Sequence, residues 1–220
     1  MSEILNETWS IREGTVIPST EDVALKNGAV RIEATFLYAD LAGSTKLQKD
    51  YNDTFSAKAI KMYLAGASAI IREYGGQIRS FDGDRVMGVF TGKSKCNSAV
   101  LAAFAIQWLV TEVINPLVKQ RHLNNNTAVW QASHGIGIDV GETFVARAGV
   151  RNSSGETTHN DLIFTNRAPN IAAKLSALRG EEAGPITITE DVFNLLNVGQ
   201  KKYEKTDQFI WRSSPGQKVG

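Results

Sequence analysis

A hairpin set between two helices limits this chain more than any other feature. The runs QIRSF (77–81) and RVMGVF (85–90) are extended in character and flank Asp82-Gly83-Asp84, and an Asp-Gly pair between two such runs is a strong turn signal. Before them, Phe55, Ile60, Tyr63, Leu64, Ala67, Ile70, Ile71 and Tyr74 recur at helical spacing. Asn52 or Asp53 caps that helix and Gly75-Gly76 ends it. After the hairpin a second helix is expected from about Asn97, with Val100, Leu101, Phe104, Trp108 and Leu109 along its face. Pro116 marks its end or a kink.

The flanking elements complete the pattern. RIEATFLYAD (31–40) is β-branched and aromatic enough for a buried strand, and it stops at the turn LAGST. Downstream, VWQASHGIGIDV and ETFVARAGV read as two strands joined at Gly141-Glu142, and the polar RNSSGETTHND reads as a loop. A third helix is expected from about Ala168 to Arg179, with Pro169 in its tolerant first turn. PITIT, a helix from Glu190 to Leu196 and two small strands around Lys202 and Ile210 close the chain. The order β-α-β-β-α-β predicts an α+β, ferredoxin-like fold: an antiparallel sheet with helices on one face. Residues 1–30 lack periodicity and read as a leader, with turn signals at Gly14, Pro18 and Asn27-Gly28, and residues 31–220 read as one domain.

Composition narrows the class. The 24 Lys+Arg and 23 Asp+Glu nearly cancel, leaving +1, which argues against nucleic-acid binding by bulk charge or a polybasic membrane patch. A lone cysteine, Cys96, excludes a disulfide framework and any thiolate metal cluster. The start MSEILNETWS lacks the charged and apolar regions of a signal peptide. The stretch AVLAAFAIQWLV is interrupted by Gln107 and falls short of the ~20 residues a membrane span needs. A soluble, cytoplasmic protein is expected.

Asp40 ends the first strand and Asp84 lies in the hairpin. In a β-α-β-β sheet the first and third strands are neighbours, so the two carboxylates can meet at one edge. Hard cations such as Mg2+ and Mn2+ take such oxygens, with substrate phosphates completing the shell. The turn Leu41-Ala42-Gly43-Ser44-Thr45 opens a helix whose free N–H groups suit a phosphate. Singly, Asp40 reads equally as a cap and Asp84 as a turn residue; together, beside that turn, they favour a metal–triphosphate site. Asp82 belongs with Gly83 in the turn itself. No histidine has zinc-site spacing: His134 falls in a strand, His122 at a helix end and His159 in a loop.

ATFLYADLAGSTKL, GGQIRSFDGDRVMGVF, HGIGIDVGETFVARAGV and IFTNRAPNIAAKLSAL resemble, in order and spacing, the four signature stretches of class III nucleotidyl cyclases, over about residues 31–198. The resemblance implies a homodimer with composite sites and two divalent ions. It also implies that Asp40, Leu41 and Asp84 form the metal set and that Ala42, Gly43, Ser44 and Thr45 hold phosphate. Asn170 would orient the ribose, and Lys174, on the same helix face, stands where the family usually has a transition-state arginine.

The purine-reading positions depart from the family. Ser80 stands where adenylate cyclases have lysine and guanylate cyclases glutamate; Ile163 stands where Asp or Thr is usual. Tyr38, two before Asp40, shares its strand face, and Arg85 follows Asp84 directly. A tyrosine can stack on a base and an arginine can donate to uracil's carbonyl edge; the plainer alternative is a core tyrosine and a solvated hairpin charge. With IRSFDGDRVMGVF, the short cyclase domain is similar to the pyrimidine cyclases of bacterial Pycsar anti-phage systems. That similarity implies conversion of UTP to cyclic UMP, which a separate effector protein senses. Cyclic CMP synthesis and a catalytically silent dimerisation or nucleotide-binding module are the alternatives. An RNA-binding sheet fits less well, since paired aromatics are missing from the central strands.

Overall fold

The structure, a computed structural model, describes residues 2–122, 130–150, 160–180, 183–202, 208 and 210–212. Its elements in chain order are α1 (Ser2–Asn6), β1 (Ser10–Glu13), β2 (Gly28–Leu41), α2 (Ser44–Asp50), α3 (Asp53–Glu73), β3 (Gln77–Asp82), β4 (Arg85–Phe90) and α4 (Lys95–Trp108). A π-helical segment, Leu109–Ile114, leads into α5 (Asn115–His122). Then come β5 (His134–Gly149), β6 (Asn160–Thr165), α6 (Arg167–Ser176), β7 (Ile186–Ile188), α7 (Glu190–Leu195) and α8 (Val198–Lys201).

One seven-stranded sheet runs β3-β4-β2-β5-β6, with β1 parallel to the start of β2 and β7 parallel to β5. The central β2 is buried on both sides because its two sets of alternating side chains enter different cores. Leu37, Ala39 and Leu41 join Val86, Ile136 and Ile138 under α3 and α4. Ile32, Ala34 and Phe36 join Met87, Val89 and Val145 under Ala168 and Ala172 of α6. The expectation of helices on one face therefore holds for α3 and α4, while α6 covers the other face. It approaches there because Gly135 and Gly137 present no side chain: a Cβ on Gly137 would stand 2.1 Å from the Ala172 carbonyl oxygen.

Two other expectations are corrected. The stretch around Gly141-Glu142 does not turn; β5 is one 16-residue strand paired with β2 from Ala29↔Ala146 to Leu41↔His134. A 14-residue β2 offers a partner along this whole length, and Gly141 continues the strand beside α6, where a Cβ would make only an ordinary contact with Ala168 at 3.4 Å. Of the two outcomes expected at Pro116, an end or a kink, the end does not occur. The widened π segment just before the proline takes up the register that a missing N–H disrupts. Lys95–Arg121 consequently forms one continuous helix, long and apolar enough by composition to cross a membrane. One face of it, with Ala99, Ala103, Ile106, Val110 and Ile114, lies buried in the core beneath the sheet.

The first helix of the hairpin unit spans Asp53–Glu73, and its cap is Asn52, whose side chain accepts from the Phe55 N–H. Between β3 and β4 the chain reverses through Gly83, at φ 62°, and Asp84. Residues 10–13 of the leader are tied to the sheet by β1. Of the closing strands, Lys202 is a single bridge and Ile210 sits in a bend, its N–H donating to the Lys201 carbonyl at 2.8 Å. The loop expected over RNSSGETTHND lies, up to His159, outside the described residues.

Candidate functional site

Asp40 is the penultimate residue of β2, opposite Arg85 of β4 on one side and Gly135 of β5 on the other. Leu41 donates its N–H to the Asp84 carbonyl at 3.3 Å, which brings the Asp84 turn beside Asp40 at the same sheet end. Burial and the negative charge of Asp84 raise the Asp40 pKa, and a hydrogen bond from Arg179 works against them. That guanidinium was invisible to the motif reading, which placed Arg179 only at a helix end. Its Nη2 donates to Asp40 Oδ2 at 2.7 Å, and its Nη1 donates to the carbonyls of Ser176 at 2.6 Å and Leu178 at 2.8 Å.

Asp40 and Asp84 suit Mg2+ or Mn2+: hard oxygen donors, close enough for their charges to couple, at a partly open sheet end. Among the described residues, no three His, Cys, Asp or Glu side chains cluster in a metal-holding group. The pair therefore leaves coordination positions for phosphate oxygens and water, as magnesium prefers. Leu41 buries its side chain in the core, so only its backbone carbonyl is left as a ligand. In the adjoining turn, Gly43 has φ 71° and precedes α2. The Ala42 N–H is already donated to the Ser133 carbonyl at 2.8 Å, which removes it from the phosphate-binding set. The amides of Ser44 and Thr45, in the first turn of α2, have no intrahelical acceptor.

Tyr38 shares its face with Asp40, and the Arg85 guanidinium lies 5.3 Å from the centre of its ring. Arg85 also donates through Nη2 to Asp82 at 2.5 Å, and its buried Nε has no hydrogen-bond partner among the described residues. Burial raises the Tyr38 hydroxyl pKa, against the pull of Arg85. Ser80 pairs with Met87, which pairs with Tyr38, so Ser80 stands on this face too. Ile163 does not join them. It alternates with Leu162 and Phe164, which enter the core, and is 44% exposed on the opposite side of β6. Arg79 is a second residue the motifs missed. Lying at the bulge between Ile78 and Ser80, it crosses to β6, 5.6 Å from the Phe164 ring and 3.8 Å from Asp161.

Asn170 and Lys174 lie on the exposed side of α6, away from the side whose Ala168, Ala172, Leu175 and Ser176 are buried. Asn170 is steered by its own helix start, its Nδ2 donating to the Asn166 carbonyl at 3.1 Å. Asn166 is the one non-glycine residue at positive φ among those described, at 124°, and its side chain donates to the Glu142 carbonyl. Such a held outlier is a mark of functional sites; the sequence signal was an asparagine directly ahead of the third helix.

Behind the carboxylates, on the α3 and α4 side, His134 is buried between Tyr63 (Nδ1···Oη 3.4 Å) and Gln107 (Nε2···Oε1 2.6 Å). Burial and the Arg179 charge lower its pKa from 6.5 to about 4. In the folded chain it therefore stays neutral where the unfolded chain takes up a proton. The stability this gives is complete above pH 6.5 and is lost as pH falls toward 4. At ~1.4 kcal/mol per tenfold the loss reaches about 3 kcal/mol. Urea unfolding at pH 7 and pH 4.5 should show this drop in the native chain and a smaller one in His134→Gln; equal drops would exclude His134 as the source.

No protein-family model matches the chain. It is 41% identical over 208 residues to a uridylate cyclase of Rhodovulum sp. (strain MB263), covering 94% of this chain and 84% of that protein. It is 39% identical over 198 residues to a uridylate cyclase of Xanthomonas perforans, covering 88% and 79%. The fold matches the crystal structure of the adenylyl cyclase CyaB from P. aeruginosa with a TM-score of 0.60 at 22% identity, over 76% of this chain and 81% of that one. It matches a guanylyl cyclase with a TM-score of 0.61 at 21% identity, over 75% and 78%. The same fold is thus found in cyclases named for different bases.

Proposed function

The chain belongs to the uridylate cyclase family of class III nucleotidyl cyclases, and from that premise we propose that it converts UTP to 3′,5′-cyclic UMP and pyrophosphate. The observation carrying the base choice is the Tyr38–Arg85 pair on the Asp40 face. A tyrosine ring can stack on a pyrimidine, and the Arg85 guanidinium beside it is of the kind that donates to a carbonyl-rich edge. Ser80 beside it offers neither the lysine nor the glutamate of the purine enzymes.

In this reading Asp40 and Asp84 hold two Mg2+ or Mn2+ ions, which when bound acidify the ribose 3′-hydroxyl and neutralise phosphate charge. The 3′-hydroxyl gives its proton to solvent water, and its oxygen bonds to the α-phosphorus as the bond to the departing pyrophosphate breaks. The turn at Gly43, Ser44 and Thr45 receives the phosphates with its amides. Asn170 and Lys174 act on a nucleotide bound to a second copy, because in their own chain they face away from Asp40. Asn170 orients the ribose, and Lys174 offsets phosphate charge as a point cation without arginine's fork. The enzyme is a homodimer, and its product is the signal read by a separate effector protein in anti-phage defence.

The test is to supply manganese with ATP, GTP, CTP or UTP separately and identify products by mass spectrometry. Cyclic UMP alone supports the reading; cyclic CMP overturns the base choice; a cyclic purine removes the role given to Tyr38 and Arg85; no product favours the silent module. Arg85→Ala is expected to lower kcat/KM for UTP by about tenfold to a hundredfold, the range of a lost charged hydrogen bond. An unchanged ratio of UTP to CTP turnover in that variant would show that Arg85 does not read the base.

A further inference from the structure

We propose that Arg179 is a resident counter-cation of the Asp40 carboxylate, a positioning residue that holds this oxygen in place before a metal arrives and that the first metal ion must displace. The inference rests on the reading of Asp40 as a metal ligand and goes beyond it by assigning a competitor for that ligand within the same chain.

Three independent features build the seat. The guanidinium is anchored away from Asp40 by two backbone carbonyls, those of Ser176 and Leu178. Its remaining arm makes a 2.7 Å charge-assisted bond to Asp40 Oδ2. The strand beneath is cleared for it, since Gly135 lies directly opposite Asp40 and a Cβ there would stand 2.4 Å from Arg179 Nη1 and 2.2 Å from the Ser176 carbonyl oxygen. A side chain at position 135 would close the seat, so the glycine is spent on it.

The charge balance gives the arrangement its purpose. Asp40 is mostly buried, with a side chain only 19% exposed, and Asp84 adds a second negative charge beside it. Arg85 across the strand also favours the charged carboxylate, but its influence is the smallest, and its guanidinium is bonded to Asp82 and lies over the Tyr38 ring, so Arg179 is the cation in direct contact with Asp40. Arg179 is 40% exposed, and its two carbonyl anchors both lie at the end of α6, so solvent borders the side chain. A divalent ion that takes the same oxygen meets the like charge of the guanidinium and competes with it for the carboxylate's lone pairs. Metal binding therefore includes the cost of breaking the Arg179–Asp40 bond, which sets the metal affinity of the nucleotide-free enzyme below what the carboxylates alone would provide. A nucleotide that brings its metal with its phosphates overcomes this more readily than the free ion.

The experiment is a Mn2+ titration of the full chain without nucleotide, with free Mn2+ read by electron paramagnetic resonance at pH 8 and low salt. Arg179→Ala is expected to bind the first Mn2+ about tenfold more tightly than the native chain. Arg179→Gln, which keeps polar hydrogen bonding without the charge, should show the same direction and serves if the alanine variant unfolds. Equal or weaker binding in the folded variants overturns the proposal. Asp40→Asn, titrated in parallel, separates the two readings. If it leaves Mn2+ binding unchanged, the metal assignment itself fails; if it weakens binding while the Arg179 variants match the native chain, only the counter-cation role fails.

Discussion

Asp40→Asn is expected to reduce cyclase turnover by at least about a thousandfold while the chain still folds. Asparagine has the shape of aspartate but neither its charge nor its affinity for a hard cation. A metal polarising the reacting oxygens supplies several kcal/mol of transition-state stabilisation, and ~4 kcal/mol corresponds to about a thousandfold in rate. The effect on stability should be small. The native carboxylate is raised in pKa by burial and by Asp84, so its ionised form costs free energy that the Arg179 bond only partly returns. The measurement is turnover with manganese and UTP beside the urea midpoint of each chain. Turnover within tenfold of native would rule Asp40 out as a metal ligand, and a collapsed midpoint would mark it as a structural residue first.

Gly137→Val is expected to do the opposite, disturbing the fold and, through it, the reaction. A Cβ at this position would stand 2.1 Å from the Ala172 carbonyl oxygen, 2.4 Å from the Ser176 nitrogen and 2.7 Å from the Leu175 Cβ. Two of these three are backbone atoms of α6, which no rotamer change can clear, so the helix must lift from β5. Overpacking of this kind costs roughly 1–3 kcal/mol and more where backbone must move; a loss of about 3 kcal/mol or more is expected in urea unfolding. Asn170 and Lys174 ride on α6, so any enzyme that remains folded should lose turnover at least about tenfold. Gly141→Ala is the control. Its added Cβ would meet only Ala168 at 3.4 Å, and the chain should lose less than about 1 kcal/mol. Equal losses at the two glycines would show that α6 is not held by this contact.

Legibility along the chain followed how local each signal is. The helix Asp53–Glu73 was readable because its apolar spacing lies within it and the Asn52 cap and glycine stop lie directly at its ends. The β3–β4 hairpin was readable for the same reason, its Gly83 sitting at φ 62° where the Asp-Gly pair requires it. The reading failed at Gly141-Glu142, and at Pro116 for the helix end it offered beside a kink; local signals for a turn and a stop were outweighed by long partners. A strand paired along thirteen positions of β2 does not reverse in its middle, and a helix buried on one face absorbs a proline with a π segment.

By itself the sequence supplied the candidates for the chemistry and determined where they fall along the chain: Asp40 at a strand end, Asp84 in a hairpin, Asn170 and Lys174 one helical turn apart. Those placements depend on periods of two and 3.6, which operate within a few residues. Tertiary structure alone decided who stands beside whom. It set Arg179, 139 residues away, on the Asp40 oxygen, brought Arg79 across to Phe164, turned Ile163 to the far side of β6, and spent the Ala42 amide on Ser133. Each of these follows from strand order, from the two-sided burial of β2 and from the glycines that let α6 touch β5. No short window of sequence contains those facts, because they are properties of elements packed together.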